Sequence, residues 1–158
     1  MTRYLSRDLR KRLRGDAGTS MVEAALVTPL LLFFSFAIID FSLMFYVYLA
    51  LGSGVAQASR YGLTGQVVAG QTRENSIKMA MRNATPTLTL KDEAFTFTHL
   101  PVGGSTWLAG AGGPNDIGKI TVNYVWEFYT PLVRPFFTDG RINLRVDASM
   151  KNERRFEE

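Results

Sequence analysis

The stretch "GDAGTSMVEAALVTPLLLFFSFAIIDF", Gly15 to Phe41, sets a glutamate, Glu23, at the head of a long apolar run and an aspartate, Asp40, deep inside it. From Ala24 to Leu51 Asp40 is the only charged side chain in 28 residues. A bilayer-spanning helix needs about 20 residues at ~1.5 Å rise each, so the run is long enough with residues to spare. Around "PLLLFFSFAII" it is apolar on every face, which excludes an amphipathic surface helix. A shorter apolar core with a small-residue site would describe an ordinary secretory signal, and "AQA", Ala56 to Ala58, offers such a site. Signal cores run about 7–15 residues, however, and this one is far longer.

The flanks orient the run. Residues 1–18 carry Arg3, Arg7, Arg10, Lys11, Arg12 and Arg14 against Asp8 and Asp16, six minus two, or +4. Residues 19–158 balance 12 basic against 12 acidic side chains, so the whole net charge of +4 precedes the apolar segment. Positive charge confined to one arm argues for membrane orientation and against a nucleic-acid surface. The rule that basic flanks stay inside puts the N-terminus in the cytoplasm and the C-terminal part across the membrane. Tyr46 and Tyr48 suit the far interface.

Several chemistries are excluded or unsupported. With no cysteine, disulfides, thiolate metal sites and cysteine nucleophiles are out. The one histidine, His99, falls in an alternating segment with no companion motif for a triad or a metal. The glycine-rich "PVGGSTWLAGAGGPND" lacks the Lys-Ser/Thr of a phosphate loop. No cofactor, no small-molecule substrate and no enzymatic activity are expected. Trp107 in that loop is either a contact residue or part of the small core, and the core is preferred.

Acids are costly in lipid, less so near the interface. On these grounds Glu23 is either a boundary residue facing headgroups or a functional group. Its surroundings carry more. A basic leader runs to Gly18, then Thr19, then Glu23 at the fifth position after the glycine, then an apolar helix with Pro29 inside it. This resembles a prepilin-type (type III) signal sequence. The whole segment "GTSMVEAALVTPLLLFFSFAIIDFSLMFYVYLALGSGVAQASRYGL" resembles the TadE-like pseudopilins of the Tad (Flp, tight-adherence) pilus system. The likeness rests on Gly18, Glu23, Pro29, the acid-aromatic pair Asp40-Phe41 and the alanine-rich "VAQASRYGL". It covers residues 14–65 well and the rest loosely. Many relatives place an aromatic residue after the glutamate; here it is Ala24.

The resemblance implies a structural and assembly protein of an adhesive, biofilm-forming pilus, cut by a prepilin peptidase between Gly18 and Thr19. It implies that Glu23 docks against a newly exposed amine, its own or that of a neighbouring subunit. Its implied partners are the inner membrane, the peptidase and other pilins and pseudopilins. The alternative is a single-pass envelope protein whose periplasmic domain binds a partner and has no pilus role. Asp40, about 25 Å beyond Glu23 along an ideal helix, either meets a partner in the assembly, snorkels to the far interface, or sits near that interface on a helix shifted outward. Pro29 removes a backbone donor and bends or loosens the helix, usefully or passively.

The organisation expected is therefore a cleaved leader over 1–18, a helix over 19–65, and a periplasmic domain over 66–158. "TRENSIKMAMRNA" predicts a short amphipathic helix capped by Thr72, with Ile77, Ala80, Met81 and Ala84 inward and Pro86 after its end. Period-two alternation predicts strands at "TLTLK", "AFTFTHL", "KITVNYVWEF" and "RINLRVDASM". Asp139-Gly140 predicts a tight turn before the last strand. "KNERRFEE" predicts a solvated tail. The fold class is α+β: a long transmembrane helix, a short helix and a mostly antiparallel sheet of about four strands.

Overall fold

A computed structural model of the chain describes residues 2–153, with side chains from residue 18 onward. The leader's basic side chains and the tail beyond residue 153 lie outside what is described. One helix, α1, runs from Thr2–Leu63 and passes through Pro29 unbroken. Within it, Gly18–Leu63 is long and apolar enough to cross a membrane. Two of its hydroxyls bond back to the helix: Ser35 donates to the Leu31 carbonyl at 2.8 Å and Ser42 to that of Ile38 at 2.6 Å. Gly65, at φ 68°, turns the chain away and donates to the Gly62 carbonyl.

The upper half of α1 is not apolar all round in its environment. Phe33, Ala37, Asp40, Met44, Val47, Leu51, Gly54 and Ala58 are buried or half-buried, while Leu30, Phe34, Ile38, Ile39 and Phe45 stand exposed. The buried positions alternate in steps of four and three, the spacing that keeps one stripe facing a partner. That partner is the rest of the chain.

The second helix, α2, spans Arg73–Ala84, and the Thr72 hydroxyl accepts from the Asn75 N–H as its cap. It buries Ile77 and Met81 against α1. Two glycines of α1 set how closely it can lie. A Cβ on Gly54 would fall 2.5 Å from a Thr85 methyl, and one on Gly62 would fall 3.0 Å from Ile77.

The sheet is antiparallel in the order β2-β1-β3-β4, built from β1 (Phe95–Leu100), β2 (Leu108–Ala109), β3 (Ile117–Glu127) and β4 (Arg141–Lys151). β3 pairs with β4 along its length, Ile117 opposite Lys151 through Glu127 opposite Arg141. One face, carrying Phe95, Phe97, Ile120, Val122, Trp126, Leu144 and Val146, closes a single core with the helices. The core residues recur at every second position along these strands, and Thr121 between Ile120 and Val122 is buried as well. The α+β class with an antiparallel four-stranded sheet holds.

The identity of one strand does not. "TLTLK" is a connection, not a strand, and the fourth strand is Leu108–Ala109 inside the glycine-rich loop. The Leu90 carbonyl is taken by the Arg82 guanidinium at 3.0 Å, and Leu90 itself tucks into the core. The backbone between α2 and the sheet is thus bonded without a ladder.

The long hairpin β3–β4 runs alongside α1. At one end, Glu153 N–H bonds the Leu63 carbonyl and the Arg73 guanidinium bonds that of Gly62. At the other, the connection after Glu127 reaches Asp40. Residues 40–63 span about 35 Å of helix, and an 11-residue strand spans about the same. The hairpin tip therefore points toward the apolar end of the molecule.

Candidate functional site: the apolar half of the long helix and the loop it holds

Gly18 and Thr19 lie within α1, both exposed. A Cβ on Gly18 would meet nothing within 4 Å, so packing does not require a glycine there. Glu23 is exposed, one turn further on. Pro29 follows in the same helix, where its ring withholds the N–H that would bond the carbonyl four residues back. From Gly18 to Leu32 the residues are all exposed, and at Phe33 the helix meets Phe136.

Asp40 is different. Its side chain is fully buried. One carboxylate oxygen accepts from the Tyr129 N–H at 3.2 Å. The other accepts from the Thr130 N–H at 3.0 Å and from the Thr130 hydroxyl. A carboxylate removed from water needs such donors, and charge-assisted bonds are the stronger kind. The partners expected for Asp40 are another molecule or the far interface; the structure supplies partners in the same chain, 89 and 90 residues away.

The loop so held, Phe128 to Gly140, is aromatic. Phe128 and Phe137 stack at 4.2 Å, and both pack on Phe41. Phe136 lies 5.5 Å from Phe33, two helical turns below Asp40. The loop closes on Asp139 and Gly140, at φ 54° and 65°, the left-handed pair that a tight Asp-Gly turn needs. Gly140 accepts from the Phe128 N–H there at 3.1 Å.

A second group of polar residues gathers at the opposite end of the sheet. Arg73 donates to the Gly112 carbonyl at 2.5 Å and to that of Gly62 at 2.7 Å. Burial pulls its pKa below the ordinary guanidinium value, and Asp116 opposes that. Asp116 accepts from the N–H groups of Val102 and Gly113, and Asn152 donates to the Gly113 carbonyl. His99 Nδ1 lies 3.2 Å from the Gly110 carbonyl, and its ring leaves no room for a Cβ at Gly112. These contacts fasten the glycine-rich loop, which is a structural task. Among the described residues, no group of three or more acids and histidines could hold a metal ion. Trp107 is a correction: it is 45% exposed and not in the core, with the Lys119 ammonium 5.8 Å above its ring.

Compared with known proteins, residues 18–60 match the family model described as TadE-like protein. The match begins at the exposed glycine and ends near the top of α1, and it takes in Glu23, Pro29 and Asp40. No curated protein and no solved structure matches the chain.

Proposed function

We propose, from the TadE-like segment at residues 18–60, that this chain is a pseudopilin of a Tad-type pilus: a single-pass inner-membrane protein, cut after Gly18, whose mature helix docks through Glu23. The observation that carries the reading is the family match over a helix of spanning length. In this reading the leader stays cytoplasmic and the α+β domain faces the periplasm or the exterior. The role is structural, in assembling a pilus that serves adhesion and biofilm formation.

The bare lower helix suits such a role. A Gly18 that no packing requires is free to serve a peptidase, which needs the backbone to enter closely and extended. Cutting there removes the leader's +4 charge and leaves an amine at Thr19, about 6 Å along the helix from Glu23. An exposed carboxylate at the edge of the apolar run gains most from a positive partner when lipid or another subunit covers it. A neighbour's amine would fix register as well as charge. Pro29 would ease bending of the helix as it leaves the bilayer for an assembly.

Piliation tests this. Glu23→Ala should insert in the membrane at normal levels yet fail to support pilus assembly, and Glu23→Asp should recover part of it. Normal piliation by the alanine variant would rule out the docking role.

A further inference from the structure

We propose that the β3–β4 connection, Phe128 to Gly140, is a wedge that enters the bilayer beside α1 on the side opposite the leader. This rests on reading α1 as a bilayer-spanning anchor. The first argument is depth. A span of about 20 residues starting between Gly18 and Ala24 ends between residues 38 and 44, close to Asp40. Phe33 then lies about 8–16 Å inside the hydrocarbon edge. Phe136 is in contact with Phe33 and shares that level.

The second argument is the surface the loop presents. Tyr129, Leu132 and Phe136 are 68%, 48% and 71% exposed. Phe136, Phe33 and Phe34 form one aromatic row, so the loop's apolar surface continues that of the helix. Lipid that covers exposed Leu30 and Phe34 would cover Phe136 as well. Tyr46 is also exposed on α1, about 9 Å above Asp40, at the height of a headgroup belt.

The loop also bonds much of its own backbone, most of it around Thr130 and Arg134. Irregular backbone is tolerated at membrane depth where protein buries it, and here α1 and the loop's own buried Phe128, Val133 and Gly140 cover one side of it. Pro131 and Pro135 have no N–H to satisfy. Val133 and Arg134 donate to the Thr130 carbonyl, Phe136 to that of Val133 and Phe137 to that of Arg134. The Tyr129 and Thr130 N–H groups go to Asp40. Of the loop's two charged side chains, Arg134 folds back to the Phe128 carbonyl at 2.7 Å and toward Glu127 at 3.5 Å, and Asp139 stands exposed in the turn beside Gly140, next to the sheet. Asp40 is thus the clasp that holds a folded loop at the rim of the anchor.

The chain has no cysteine, so single cysteines can carry a label. The full chain would be reconstituted in vesicles of phosphatidylethanolamine and phosphatidylglycerol. An environment-sensitive fluorophore would be attached at Phe136→Cys, at Leu26→Cys in the helix, or at Val102→Cys. Val102 is 70% exposed at the far end of the sheet, about 35 Å away. The proposal predicts blue-shifted emission at Phe136→Cys and several-fold quenching by lipids carrying a nitroxide on the acyl chain. Leu26→Cys should behave alike, and Val102→Cys should stay water-like. Water-like emission at Phe136→Cys with lipid-like emission at Leu26→Cys overturns the wedge alone. Water-like emission at both overturns the anchor with it. A blue shift that nitroxide lipids do not quench means contact with another protein surface and also overturns the wedge.

Discussion

Asp40 brings its carboxyl group into a place closed to water, and three donors from one loop receive it. Removing the carboxylate takes the acceptor from two part-buried backbone N–H groups, and each such loss costs about 1–3 kcal/mol when water does not replace it. Asp40→Ala should therefore lower the domain's unfolding free energy by at least about 2 kcal/mol and expose Phe128–Gly140 to limited proteolysis, with membrane insertion unchanged. Thr130→Val removes only the hydroxyl and should cost about 1 kcal/mol. Unfolding of the two variants in detergent checks both values; equal stability of Asp40→Ala and the parent would refute the clasp. Nothing in the sequence around Asp40 pointed to Thr130. A contact across 90 residues leaves no local spacing, so the acid could be flagged as needing a partner but not paired with one.

At the scale of elements, the long helix was legible from length and composition, and α2 from its period and its Thr72 cap. What an all-round apolar run hides is its own inner stripe. The steps of four and three from Phe33 to Ala58 become visible only where small residues and Asp40 interrupt the large ones. Gly54 belongs to that stripe. In sequence it reads as a weak point in a helix, and in the structure it is where α2 comes closest, against Thr85 and Met81. Gly54→Ala gains helix propensity but forces those side chains apart, and overpacking costs about 1–3 kcal/mol. The variant should melt below the parent, whereas Gly52→Ala, whose Cβ would meet nothing, should melt at or above it. A higher melting temperature for Gly54→Ala would contradict this packing. The misplaced strand has a related cause. "TLTLK" alternates as a strand does, but alternation marks which side chains face inward and not whether a neighbouring backbone is present to pair.

At the scale of the molecule, a rigid hairpin as long as the upper helix lies against it and ends where the apolar half begins. The domain is thereby fixed to its anchor along a shared core instead of hanging on a linker. The lower helix, from Gly18 to Leu32, is exposed along its length. Cleavage at its head is the step on which the proposed role turns, since it would create the amine proposed to meet Glu23. It also calls for local unwinding, because Gly18 and Thr19 lie in helix here and a protease takes an extended chain. The most direct test is the intact mass and N-terminal residue of the chain purified from membranes of cells that hold a prepilin peptidase. The account predicts a mature chain beginning at Thr19, and full-length chain when Gly18 is replaced by leucine. A chain retaining its leader in the parent, or one beginning near Ser59 as ordinary secretion would leave it, would contradict it.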